Sequence, residues 1–374
     1  PHPKDFFSAE VLLLRPIDAF AGRVLQFCNT QGLRTPGAPT TRTRKMDMNV
    51  LGLDIGYSNV KMCFGTPSKH PSSMIFPAGA GLAEKFPRQM GKKSAVTTVT
   101  IDGEQWITGV NPARFEMASR VLHTNYPSTR EYKALFYSAL ARAGLAEIDV
   151  LVTGLPVDQY LSDAEKRSLE AVLTGEHQIA PKRKVVVKKA VVIPQPIGAY
   201  LDMISSIEDD KEATRVERSR VLTIDPGFFS LDWAMVRENA FQKNASDTSK
   251  LASSVILDEA ASMISTEFGG LFPKEDLEDA IQQGFDTVLV GADEVDYSEY
   301  LKKASNKVSE DAMKPLLQSL RTEISGVNIV LLAGGGANFY LDTVKTYFPK
   351  AKVMVSSEPV LANARGFYVY GEGL

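Results

Sequence analysis

Two carboxylates, Asp225 and Asp232, interrupt the otherwise apolar stretch VLTIDPGFFSLDWAMV (residues 221–236) and bracket Pro226, Gly227, Phe228, Phe229 and Ser230. A bare hairpin turn needs Asp and Gly once, so a second charge in the returning strand, beside Trp233, suggests that something is bound there. An equivalent arrangement stands 171 residues earlier, where Asp54 is followed by Gly56, Tyr57, Ser58, Asn59 and Lys61. Glycine lets successive backbone N–H groups converge on one anion, the hydroxyls of Ser58 and Ser230 add compact donors, and Lys61 adds a cation. Carboxylates repel phosphate but hold a hydrated Mg²⁺ that neutralises it, so Asp54, Asp225 and Asp232 are expected to share one metal site through water. The chemistry implied is capture of a phosphate chain from two sides. Either hairpin alone is equally well read as an ordinary turn.

A third element, LLAGGGAN (residues 331–338), places Gly334, Gly335, Gly336 and Asn338 between a buried strand and a helix start. Glycines there let a nucleotide's sugar and phosphates approach the backbone and the helix N-terminus. The stretch is neither a Walker A loop, lacking its Gly-Lys-Ser/Thr ending, nor a dinucleotide fingerprint, lacking the third spaced glycine.

These loops need strands and helices to hold them. NVLGLDIG with NVKMCFG, TVTIDGEQWITG, and VLTIDPG with FSLDWAMV read as hairpins. A helix is expected over STREYKALFYSALARAGL, with Ser128 as N-cap and Gly144 as stop, and another after Ser162. Strands alternate with helices throughout, which makes the fold class α/β. The basic run KRKVVVKK (182–189) reads as a protected edge strand, with adaptor or DNA binding as the other reading.

At 374 residues the chain is long enough for two compact units, and 44% hydrophobic and 23% charged residues place it among globular proteins. A formal net charge of −3 gives no overall pull toward nucleic acid or anionic lipid. Cys28 and Cys63 are too few for a disulfide framework, and His2, His70, His123 and His177 have no ligand spacing. No apolar run approaches the ~20 residues of a membrane span, so no membrane contact is expected and a cytoplasmic location is. Residues 1–47, with the Pro-, Thr- and Arg-rich TQGLRTPGAPTTRTRKMD, read as an extension or linker ahead of Met46 and Met48.

DIGYSNVK, VIPQPIGAYLD, DPGFFSLD, LLAGGGAN and PVLANARGFYVYG, in that order, resemble the first phosphate loop, first connecting helix, second phosphate loop, adenosine motif and second connecting helix of the actin, DnaK and hexokinase superfamily of ATPases. Within it the TGLP turn at 153–156, the PQPIGAY connector and the short ANARGF end are most similar to ParM/StbA-type plasmid segregation actins. The resemblance implies an actin-like ATPase fold, with two related α/β lobes around a nucleotide cleft: lobe I over 48–196, completed by 355–374, and lobe II over 197–354. It further implies ATP as ligand, with GTP left open, Mg²⁺-dependent hydrolysis, self-association into filaments and a DNA-binding adaptor as partner, without direct DNA binding. Gln195 stands where many relatives carry Glu; it is expected to orient the attacking water rather than deprotonate it, giving slow turnover, although a turn residue between two prolines is the plainer reading. Asp225 is the other expected catalytic residue. The base pocket is expected near Glu267, Phe268, Gly269 and Gly270, with Glu267 as the nucleotide contact. A small-molecule kinase of the sugar or acetate type is the alternative, with Asp158 as its candidate base. A DnaK-type chaperone is disfavoured because little chain follows the last helix.

Overall fold

The computed structural model describes residues 48–86, 96–111 and 125–374; the extension reading for 1–47 lies outside these. Strands β1 (Val50–Ile55), β2 (Asn59–Gly65) and β3 (Ser72–Pro77) begin the first sheet, and β4 (Gly79–Leu82), β5 (Thr97–Ile101) and β6 (Glu104–Val110) form a small antiparallel sheet beside it. Helix α1 (Arg130–Ala143) leads to β7 (Glu147–Leu155), the short α2 (Val157–Tyr160), α3 (Asp163–Leu173), β8 (Gly175–Ala180), β9 (Arg183–Pro194), α4 (Gln195–Ser205) and α5 (Asp210–Glu217). The second half holds β10 (Arg220–Pro226), β11 (Leu231–Arg237), β12 (Ala240–Phe241), β13 (Asp247–Ser249), α6 (Ser253–Phe268), α7 (Lys274–Gln283), β14 (Thr287–Val290), β15 (Asp293–Asp296), α8 (Ser298–Leu320), β16 (Ile329–Leu332), α9 (Ala337–Tyr347), β17 (Lys352–Val355) and α10 (Ala362–Glu372).

The two main sheets repeat one plan. In the first, ordered β3-β2-β1-β7-β9-β8, the β1–β2 hairpin is antiparallel and β7 runs parallel to β1. In the second, ordered β12-β11-β10-β16-β17, the β10–β11 hairpin is antiparallel and β16 runs parallel to β10. Every residue of β1 is buried, as both faces of a central strand in a layered α/β fold must be. The C-terminal α10 returns to the first half, where Gly52 of β1 admits it: a Cβ there would overlap the carbonyl of Ala364 and the N–H of Tyr368.

Helix α4 crosses α10 at two further glycines, because a Cβ on Gly366 would overlap the backbone of Gly198. Around that crossing Val150, Val152 and Ile193 of the first sheet share a buried cluster with Val221, Ala234 and Leu331 of the second. Beside it the Arg365 guanidinium donates to both oxygens of Asp202 (2.8 and 2.7 Å) and also reaches Glu358. The halves are therefore joined by packed side chains as well as by chain connections.

Two local expectations are corrected. The N-cap of α1 is Thr129, whose Oγ1 accepts from the N–H of Tyr132 (3.2 Å), because Tyr126–Ser128 is spent on a 3₁₀ turn; Gly144, at φ 72°, does end the helix. The basic run lies in β9, which is paired on one side with β7 and on the other with β8, so it is not an edge strand. Its lysines are placed by partners: Lys184 by Glu176 (2.7 Å), and Lys188 by Asp149 (2.7 Å) and Glu147. The β14–β15 hairpin stands between α7 and α8.

Candidate functional site

The two hairpin loops have the same register. Ile55 pairs with Val60 and Pro226 with Leu231, leaving four-residue loops, 56–59 and 227–230, each opened by glycine. Each is closed by the same bond: Gly56 N–H to the Asn59 carbonyl (3.1 Å) and Gly227 N–H to the Ser230 carbonyl (2.8 Å). Ser230 is thus the counterpart of Asn59, not of Ser58. One pair in from the turn, Asp54 stands opposite Lys61, and Asp225 opposite Asp232.

Both loops aim their N–H groups by anchoring their carbonyls. In the second, the carbonyls of Pro226, Gly227 and Phe228 accept from Gly336 (2.9 Å), Ser253 (3.1 Å) and Ser254 (2.9 Å). Trans peptide geometry then turns the following N–H groups, including those of Phe228 and Phe229, the opposite way. In the first, the Ser58 carbonyl accepts from Ala78 N–H (2.9 Å), which turns the Asn59 N–H in the same manner.

One cleft is lined by Asp54, Gly56, Tyr57, Ser58, Asn59 and Lys61 of the first hairpin and by Asp225, Gly227, Phe228, Phe229, Ser230 and Asp232 of the second. Gln195, at the start of α4, and Gly334, Gly335 and Gly336 complete it. Lys61 Nζ donates to Asp54 Oδ2 (3.1 Å), and Gln195 Nε2 lies 3.5 Å from Asp54 Oδ1. Gly154 of the TGLP turn makes room for that glutamine, since a Cβ on it would come within 2.7 Å of Gln195 Cγ.

Two of the expected residues lie outside the cleft lining, and a third has protein partners of its own. Glu267 is exposed at the far end of α6, away from Ser253 and Leu257 of the same helix, which line the cleft; its side chain is engaged by Tyr300. Asn338 is also absent from the lining, because the first turn of α9 presents Phe339 instead. Asp232 is occupied by protein donors: its Oδ1 accepts from Val157 N–H (2.9 Å) and Thr248 Oγ1 (2.5 Å), and its Oδ2 from Ser230 Oγ (2.6 Å). No group of three His, Cys, Asp or Glu side chains among the described residues is arranged to hold a metal ion directly.

The glycine turn, all of it in the cleft lining, also has a packing use. Cβ atoms on Gly334 and Gly336 would overlap Asp225 and Ser253, so these two glycines fit the turn against the second loop, and Gly335 faces open space. Burial pushes the Asp225 carboxyl up to about 7, reinforced by the Asp54 and Asp232 charges and opposed by the Asn363 amide, which donates to Oδ2 (2.6 Å), and by Lys61. Burial also raises Asp232, to about 6, against the bonds from Ser230, Thr248 and Val157.

Sequence reasoning missed Ser253, Asn363, Glu278, Gln282, Tyr126 and Phe339, all in the lining. An asparagine beside small apolar residues in ANARGF was a usable signal for Asn363. Glu278 and Gln282 carry none, being an ordinary polar pair at i, i+4.

The donor set fits a magnesium nucleotide. Ser253 Oγ and Asn363 Oδ1 are buried in the lining without a protein partner, and such atoms call for a ligand or water. Two carboxylates and an unpaired amide oxygen suit a small hard cation that keeps its water shell. Leu257, Ile281 and Phe339 provide an apolar wall for a base.

A two-lobed α/β chain with paired phosphate-type loops facing one cleft is an actin-like arrangement, and the sequence agrees. Residues 52–198 match the model of the actin like proteins N terminal domain, and residues 223–346 that of the archaeal actin homologue MreB-like C-terminal domain. The chain is an actin-like protein carrying both domains. Solved structures of the same fold include Ta0583, an archaeal actin homolog in complex with ADP (18% identity, TM-score 0.67, 86% of this chain and 98% of that chain). The pCBH ParM non-polymerisable quadruple mutant is similar at 19% identity and TM-score 0.70, over 88% of this chain and 100% of that chain. A 15-stranded ParM filament from Clostridium botulinum is similar at 19% identity and TM-score 0.69, with the same coverage of 88% and 100%. A search of curated proteins gave no match.

Proposed function

We propose that this chain binds ATP with Mg²⁺ between its lobes, hydrolyses it slowly, and assembles with copies of itself into filaments that serve DNA segregation. The observation that supports this best is the facing pair of hairpins, identical in register, with Asp54 and Asp225 one pair in from each turn. Their N–H groups and Lys61 hold the phosphates. Asp54, Asp225 and the Asn363 amide oxygen hold the water shell of the cation, which when bound neutralises phosphate charge. Gln195, steadied by Asp54 and by the space at Gly154, orients water; a carboxamide is no base, so the rate is slow. Asp158, the base candidate of the kinase alternative, is exposed and outside the lining, which favours hydrolysis over transfer.

Filament formation is supported by likeness to a ParM solved as a filament. No helix among the described residues is long and apolar enough to cross a membrane. Calorimetry with MgATP tests binding, with saturable heat expected, and competition by GTP measures the base preference. Phosphate release without an added acceptor tests hydrolysis. Well-folded protein that gives no saturable heat would refute the proposal.

A further inference from the structure

The first loop reaches the second lobe through adjacent side chains. Ser58 Oγ donates to Glu278 Oε1 of α7 (2.7 Å), and Gln282, one turn along the same helix, donates through Nε2 to Ser58 Oγ (3.0 Å) and to Glu278 Oε1 (3.0 Å). Tyr57 stacks on Tyr126 (centroids 4.2 Å) and leans on Phe229 of the second loop (4.8 Å). Asn111 adds a parallel bond from the first half to the same helix, donating to Asp279 Oδ1 (2.7 Å).

A serine hydroxyl has one proton. While Ser58 gives it to Glu278 it cannot give it to a phosphate oxygen, and the Glu278 carboxylate repels phosphate at the same spot. We propose that Ser58 is a two-position latch: its proton goes either to Glu278 or to a nucleotide phosphate, so that phosphate arrival releases α7 from the first loop. This rests on the nucleotide reading of the cleft. Release is carried outward by α7 to Phe285, in the link that follows it, and to Leu289 of the β14–β15 hairpin, which are 54% and 70% exposed. Nucleotide occupancy then alters a surface remote from the phosphates by weakening a hold on α7 that the Asn111–Asp279 bond shares.

Stopped-flow binding of a fluorescent ATP analogue with Mg²⁺ to the full chain tests the latch. Glu278→Ala is expected to raise the association rate about tenfold, the lower end of the range that a local field commands. Glu278→Gln, which keeps the size and an acceptor oxygen but loses the charge, is expected to give a smaller gain and serves if the alanine variant does not fold. Adding Ser58→Ala should remove the part of the gain that comes from freeing the serine proton and leave the part that comes from lifting the carboxylate's repulsion, so the double variant should associate more slowly than Glu278→Ala. In the wild type, hydrogen exchange at the amides of 274–283 should speed up on adding MgATP. Unchanged or slower association in both Glu278 variants, or no change in exchange, overturns the latch alone. A wild type that takes up no nucleotide overturns the nucleotide reading as well.

Discussion

Lys61 and Asp232 occupy one register position in two related hairpins and do opposite things. Lys61 turns inward to pair with Asp54, whereas Asp232 turns across the lobes and receives Val157, Thr248 and Ser230. Asp232→Ala should therefore act on stability: three donors lose their acceptor, at roughly 3 kcal/mol or more in urea unfolding, since each orphaned buried donor costs about 1–3 kcal/mol. Asp225→Ala should act on turnover, lowering Mg²⁺-dependent phosphate release by about 100-fold or more, the scale of removing one preorganised charge-stabilising group. Gln195→Ala should lower the hydrolysis rate with little change in nucleotide affinity, measured by single-turnover phosphate release beside equilibrium binding. The two Asp-Gly loops were legible because their residue types and spacing repeat. The destination of Asp232 was not, because its partners lie in two other segments. The glycines at 334–336 were legible as cleft residues; that Gly334 and Gly336 also pack against Asp225 and Ser253 was not, because those partners lie in other segments.

Elements were legible where pattern alone decides them. The hairpins and the Gly144 stop followed from alternation and turn chemistry; the cap of α1 did not, because Ser128 and Thr129 are both capable caps and a preceding 3₁₀ turn chooses between them. The interior position of β9 depends on β8 folding back beside it, which a run of lysines cannot reveal. His177, on β8, sits against Phe136 and Tyr137 of α1, with Nε2 3.0 Å from the Leu173 carbonyl. Burial lowers its pKa below the ordinary 6.5, so the fold favours the neutral ring. Its contribution is whole above the unfolded value and is lost as pH falls through the depressed one, at up to about 1.4 kcal/mol per pH unit. In urea unfolding from pH 8 to 5 the stability difference between the wild type and His177→Gln should shrink; the raised Asp225 and Asp232 carboxyls contribute a slope of the opposite sign to both proteins, which cancels in that comparison. At the helix crossing, Gly366→Ala should cost about 3 kcal/mol in the same assay, because the obstacle is the Gly198 backbone and no side chain can move aside.

At the scale of the molecule, assembly needs two unlike surfaces that meet without closing a ring. Pelleting should detect polymer with MgATP and lose it in Asp225→Ala; wild-type protein that stays monomeric at high concentration across salt conditions would count against assembly. Which surfaces meet was illegible in the sequence, since exposed residues such as Leu271 carry no periodic signature.

The buried cluster shared by the two sheets bears on how the molecule melts. Two domains tied only by a connecting strap commonly come apart one after the other. Here Val150 and Val221 lie in one cluster, beside a bidentate ion pair, so unfolding of either half strips buried packing from the other, although each also has a core of its own. A scanning calorimeter should record one endotherm, whose van't Hoff and calorimetric enthalpies agree.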